Sequence, residues 1–281
     1  MTTFTGVRVG IANGMSALFV PGNKPALFDK AAASGAHAVI ADLEDAVAPA
    51  ERSAARTAVK AAVLAGQPLA VRINAPGAPD HALDLALLAE MRAAGSVPVA
   101  VVLAKTEEAA DVADVIRASG AGTQVIALIE TARGIVNAPY IAQADGLARI
   151  AFGALDYALD IDAEGDTALL FARSTLVVAS RAAGLPAPLD SPTANFRDLE
   201  AVQSEAAEAR RLGFGGKLCI HPAQVRPVHT VFQPTESEIT RARRVVAAAE
   251  AADGGVVQVD GEMVDTPVVD AARRILQRAA P

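Results

Sequence analysis

Glu130 and Asp156 are the two acids whose placement most constrains the chemistry of this chain. Each follows a short apolar run, 124–129 before Glu130 and 150–153 ahead of Asp156. Two hard oxygen donors a few ångström apart, with positions left for water and substrate, suit Mg²⁺ or Mn²⁺. Asp42, Glu44 and Asp45 follow an earlier run and form a second acidic cluster. Such acids can also cap the helices that follow them. Arg72 closes the run at 69–71. A guanidinium there can grip a carboxylate bidentately or neutralise a developing enolate oxygen. Pairing with the Asp42 cluster is equally open, and the two roles are compatible. Lys105 closes the run at 99–104. A Schiff-base lysine needs a lowered pKa, whereas the neighbouring acids favour the protonated form, so Lys105 reads as ion-paired or solvated.

Other reactive residue types have blander readings. His221 reads as a hydrogen-bonded structural histidine. Cys219 lies inside an apolar run and reads as inert core. The stretch 213–216 reads as a tight turn before the last run rather than a phosphate loop. No Walker, Rossmann or nucleophile-elbow pattern is present.

The elements that must carry these groups repeat. Eight short apolar runs, at 17–20, 38–40, 69–71, 99–104, 124–129, 150–153, 187–189 and 218–220, each lead into a polar residue or a turn. Helix-length stretches separate them, with helices expected at 26–34, 50–64, 81–94, 106–119, 132–143, 167–183 and 198–212. This alternation predicts an α/β fold, a (β/α)8 TIM barrel whose reactive groups ring the C-terminal ends of the strands. Beyond it come a helix at 235–252, a hairpin at 256–264 and a last helix at 268–278. The expected division is a barrel at 1–234 carrying the metal site and a C-terminal helical and hairpin arm at 235–281, too short to fold alone.

Composition agrees. The 281 residues are 52% hydrophobic but only 4% aromatic, so the core must be Ala, Val, Leu and Ile. A formal net charge of −7 argues against general nucleic-acid or membrane-surface binding. The single cysteine allows no intrachain disulfide. No run of about 18 uncharged apolar residues suggests a membrane span, and no signal peptide is apparent. The expected location is the cytoplasm.

The chain resembles the citrate lyase β-subunit-like family of the aldolase/citrate lyase superfamily of CoA-ester lyases. The likeness runs over about 18–276. Its segments are Leu18-Phe19-Val20-Pro21-Gly22-Asn23-Lys24-Pro25, Asp42-Leu43-Glu44-Asp45-Ala46-Val47, Val71-Arg72-Ile73-Asn74 and Ile129-Glu130-Thr131-Ala132-Arg133-Gly134. Further along come Phe152-Gly153-Ala154-Leu155-Asp156, the stretch 213–224 and Gly261-Glu262-Met263-Val264-Asp265.

The resemblance implies Mg²⁺ held by Glu130 and Asp156, with Mn²⁺ as a substitute. It implies Arg72 on the keto-acid or enolate oxygens, supported with the metal waters by Glu44 and Asp45. It implies Asn23 and Lys24 near the CoA, and a homotrimer or hexamer. In that assembly the arm would reach a neighbouring active site and deliver Asp265, the acid–base group at the acetyl-CoA methyl carbon. From the residues alone, Asp265 reads as the cap of the last helix. The partners expected are a CoA thioester and a small 2-keto acid. The implied reaction is cleavage of a citramalyl-, malyl- or citryl-CoA type ester. Alternatives are a malyl-CoA-type thioesterase, a subunit acting on a carrier-bound acyl group, and a Schiff-base aldolase. Met15, Ala104 and Leu155 depart from the residues common in the family.

Overall fold

A computed structural model describes residues 10–11, 13–251 and 257–279. In chain order the elements are β1 (Ser16–Pro21), α1 (Phe28–Ala32), β2 (Ala38–Asp42), α2 (Arg52–Leu64), β3 (Ala70–Ile73), α3 (His81–Ala93), β4 (Ala100–Leu103) and α4 (Ala109–Ser119). Then follow β5 (Val125–Ile129), α5 (Ala132–Ile141), β6 (Leu147–Phe152), α6 (Ala154–Asp160), α7 (Asp166–Ala182), β7 (Leu189–Asp190), α8 (Leu199–Leu212), β8 (Gly216–Cys219) and α9 (Val225–Phe232). The eight strands pair in parallel and in chain order, and β8 closes on β1. This is the TIM barrel expected from the alternation.

Strand parity explains how the barrel carries charge at one end. Alternate residues face the lumen. Ala17, Ala38, Ile40, Ala70, Ala100, Val102, Ile126 and Leu128 belong to one buried cluster, with Phe19 packed against it. Continuing the same two-residue step from Ile40, Ala70 and Leu128 arrives at Asp42, Arg72 and Glu130. The lumen is therefore apolar along the strands and ionic at their C-terminal ends.

The strands depart from expectation chiefly at β7, which spans two residues and is joined to β6 by a single registered pair, Ala151 with Leu189. Pro186, Pro188 and Pro192 remove backbone donors on both sides of it. Helix α4 starts three residues later than expected because Glu108 and Asp111 form a capping box. Helices α6 and α9 fall where no helix was expected.

Two compact units divide within α9, after His229. In the second, α10 (Glu236–Ala251), β9 (Val257–Val259), β10 (Glu262–Val264) and α11 (Thr266–Ala279) share their own core. Ala242, Val245, Val259, Val264, Val269 and Ala272 fill it. Arg244 donates to both oxygens of Asp260 at 2.9 Å, tying the hairpin turn to α10. Among the described residues, no helix is long and apolar enough to cross a membrane.

Candidate active site

Asp42 and Arg72 are register partners across β2 and β3. Arg72 donates through Nε and Nη2 to the two Asp42 oxygens, both at 2.6 Å. The same carboxylate accepts from the backbone N–H groups of Glu44 and Ala46. Asp42 is thus both the cap of its turn and the clamp of Arg72. Nη1 remains for other partners, 2.8 Å from Glu44 Oε2 and 3.6 Å from Asp45. The guanidinium carbon lies 4.6 Å over the Phe19 ring, which closes the lumen beneath it. Four neighbours therefore orient one buried cation, and the acids hold its pKa above the ordinary arginine value despite burial.

Glu130 sits one residue past β5, where Thr131 caps α5 by accepting from the Gly134 N–H. Its side chain is 2% exposed, and its Oε1 accepts from the Lys105 backbone N–H at 2.9 Å. Lys105 reaches that position with φ of 45°, a left-handed conformation unusual for a lysine. Gly153 passes so close that a Cβ there would lie 2.6 Å from Glu130 Cβ, so only glycine leaves room for the carboxylate. Burial and the nearby Glu44 charge push the Glu130 carboxyl up to about 8.

Asp156 lies in the first turn of α6, half-buried. The Lys105 ammonium spans the gap between the two acidic groups, 3.2 Å from Asp156 and 3.5 Å from Glu44. Burial opposes its charge, but Glu130, Glu44 and Asp156 together hold its pKa above the ordinary lysine value. Glu44 is itself pushed up to about 7, by burial first, with Arg72 opposing. Five acids and two cations thus converge on one barrel mouth.

The structure brings Arg72, Glu44, Asp45, Glu130 and Asp156 together. Asn23 and Lys24 lie just past the end of β1. Asn23 donates to Glu51 at 2.9 Å, and Lys24 is exposed. Asp265 belongs to the second unit, where it is exposed and accepts from the Val268 N–H at 3.3 Å. His221 stacks on Phe196 and caps the short turn at Pro222–Gln224, a structural role. Cys219 is buried, and burial pushes its thiol up to about 12.

The sequence reading did not single out Asp42 as the clamp, the backbone of Lys105, or Gly153. The alternation 38, 40, 42 against 70, 72 could have paired Asp42 with Arg72. Nothing in residue type foretells the other two. Among the described residues, no group of three or more His, Cys, Asp or Glu side chains forms a complete metal cage.

Residues 15–222 match the HpcH/HpaI aldolase/citrate lyase model, and residues 176–281 match a model for carbon–carbon bond lyases of the TIM-barrel fold. The chain is 39% identical over 276 residues to the citrate lyase subunit beta-like protein of Mycobacterium tuberculosis, covering 95% of this chain and 96% of that one. It is 34% identical over 274 residues to the (3S)-malyl-CoA thioesterase of Cereibacter sphaeroides, covering 94% of each. It is also similar to the crystal structure of CitE from Mycobacterium tuberculosis in complex with magnesium, acetoacetate and coenzyme A. There the TM-score is 0.80 and the identity 38%, covering 95% of this chain and 98% of that one. Barrel, mouth and likenesses define an enzyme of the carbon–carbon lyase class. The chain belongs to the HpcH/HpaI aldolase/citrate lyase family.

Proposed function

We propose that this chain is a Mg²⁺-dependent CoA-ester lyase. It cleaves a 3-hydroxyacyl-CoA carrying a carboxylate, of the citramalyl-, malyl- or citryl-CoA type, to a 2-keto acid and acetyl-CoA. The carrying observation is the acid pair Glu130 and Asp156 beside the clamped Arg72. The donor set fits a hard divalent cation. It is all carboxylate oxygen, and like charges crowd it enough to raise Glu130 and Glu44. Glu130 and Asp156 would hold Mg²⁺, leaving positions for water and substrate. Bound there, the ion supplies a Lewis acid that acidifies the substrate hydroxyl and favours the product carbonyl.

The residues of the chain do the rest. Arg72, held rigid by Asp42, binds the keto-acid oxygens and stabilises the charge that develops on them. Glu44 and Asp45 keep Arg72 oriented and accept from water in the mouth. Lys24 offers an exposed cation to the CoA phosphates, with Asn23 beside it. The substrate hydroxyl passes its proton to water held by Glu44 and Asp45, and the O–H electron pair forms the product carbonyl. The carbon–carbon bond breaks, and its pair passes into the acetyl-CoA enolate. Asp265, delivered by the arm of a neighbouring copy in a trimer or hexamer, protonates the methyl carbon.

A thioesterase reading is favoured by one observation, the likeness to the malyl-CoA thioesterase. The two readings separate in one assay on purified protein with citramalyl-, malyl- and citryl-CoA, in Mg²⁺ and then in EDTA. The lyase reading expects EDTA-sensitive release of a 2-keto acid and acetyl-CoA from one ester. Free CoA and the intact hydroxy acid would establish hydrolysis instead. No product from any ester would overturn both. A Schiff-base aldolase is disfavoured because three acids hold Lys105 protonated.

A further inference from the structure

The β6–β7 seam is the thinnest in the barrel, and it borders Gly153. The prolines around β7 explain why its backbone cannot close that seam. At its end stands Ser191, 4% exposed. Its hydroxyl donates to the Phe152 carbonyl at 2.9 Å and accepts from the Ala154 backbone N–H. These two groups flank Gly153 on either side. The Gly153 N–H meanwhile donates to the Ile129 carbonyl at 3.0 Å, next to Glu130. A side chain therefore bridges β7 to β6 where the ladder is missing. The peptide segment it grips forms the wall against which Glu130 rests, and it begins the helical turn that carries Asp156.

We infer that Ser191 is a positioning residue that sets the separation of the Glu130 and Asp156 carboxylates, and with it the affinity of the site for a divalent cation. The inference rests on the reading of Glu130 and Asp156 as the metal ligands. The buried ion cluster behind it supports the assignment. Asp190, adjacent in sequence, is held by Arg173 at 3.2 Å and by Lys217 at 3.5 Å. The β7 end that carries Ser191 is thus anchored from the side away from the site. Groups that orient ligands without touching the metal commonly change affinity by about 10- to 100-fold when removed.

The test is Mn²⁺ titration calorimetry on the full chain, with hydrogen exchange at the Ala154 amide and melting curves without metal. Ser191→Ala is expected to weaken Mn²⁺ binding by about tenfold or more and to speed Ala154 exchange. Ser191→Thr keeps the hydroxyl and is expected to restore most of the affinity. Ser191→Cys conserves volume with a poor hydrogen-bonding group, so it should fold and behave like Ser191→Ala. Wild-type affinity in both the Ala and Cys variants overturns the inference. So does a Thr variant as weak as the Ala variant. Asp156→Asn serves as the control. If it binds Mn²⁺ like wild type, the ligand assignment fails first and the role of Ser191 falls with it.

Discussion

The two ends of the barrel both bury charge, and they handle it in opposite ways. At the mouth, acids crowd together. Glu44 and Glu130 are pushed toward neutrality, and Lys105 adopts a left-handed backbone to reach them. At the floor, Arg149 of β6 is fully buried and satisfied by main-chain carbonyls. Its Nε donates to Ala187 at 2.7 Å, and its Nη1 donates to Ile11 at 3.0 Å and Gly14 at 2.6 Å. Gly215 leaves room for the guanidinium, since a Cβ there would meet Nη2 at 2.6 Å. Beside it His37 and His229 pack their rings 4.4 Å apart, and His229 pairs with Ser16 at 2.7 Å. The floor satisfies a lone cation with main-chain carbonyls, where the mouth sets acids against one another and against two cations. The floor isolates one cation among carbonyls, with burial pushing its pKa down to about 9, whereas the mouth gathers several acids and two cations around shared space, and barrel enzymes place their sites at the mouth end.

Substitutions at the two ends should therefore separate activity from stability. Glu130→Gln is expected to cut ester cleavage by roughly a thousandfold, since it removes one of two candidate ligands. The same change should raise the melting temperature of the metal-free protein at pH 8, because a crowded buried charge is gone. A lowered melting temperature would show that the Glu130 charge is not crowded. Arg149→Met is the converse. It leaves three buried carbonyls without donors, at about 1–3 kcal/mol each, so a loss of about 3 kcal/mol or more is expected in denaturant melts. Mn²⁺ affinity should not change. Arg72→Lys keeps charge but breaks the two-point clamp on Asp42, and a drop of about 100-fold in kcat is expected with Mn²⁺ binding intact.

The ends should also titrate in opposite senses. Folding raises Glu130 from 4.5 to about 8. Between those values the folded state keeps a proton that the unfolded chain has released, so stability falls as pH rises. Folding lowers His229 from 6.5 to about 4, through burial and then His37. In that window the unfolded chain binds the extra proton, so stability falls as pH drops. Metal-free melting temperatures are therefore expected to decline from pH 6.5 to 8, and Glu130→Gln should remove most of the decline above pH 7, where Glu44 no longer contributes. Between pH 4.5 and 6.5 His229 opposes the slope of Glu130 and Glu44, so His229→Gln should steepen the decline with rising pH there. The smallest effect belongs to Lys105→Gly, which relaxes the left-handed residue by about 1 kcal/mol while losing the ammonium. Lys105→Ala loses the ammonium and keeps the strain, so the pair measures that strain directly.

The mouth was far more legible in the sequence than the floor. Asp42, Arg72, Glu130 and Asp156 follow apolar runs, and the two-residue period of a strand places the first three on one face. Arg149 lies just before the run at 150–153 and drew no reading, because its partners are carbonyls, and carbonyls carry no signature of residue type. Two of those partners, Ile11 and Gly14, lie more than a hundred residues away. Ser191 was hidden for the same reason, since it bonds only to main chain. Helix α6 is a single short stretch, too brief for a periodic pattern. In α9, Pro227 sits in the first turn, where proline is tolerated but reads as a break.

The proposed lyase chemistry requires the carboxylates at the mouth, and not the polar cluster at the floor, to hold the divalent cation. The most direct measurement is anomalous diffraction from crystals of the chain soaked in Mn²⁺. One strong peak is expected within coordination distance of Glu130 and Asp156, lost in Glu130→Gln crystals. A peak elsewhere, or none at the mouth while the protein remains active, would contradict that requirement.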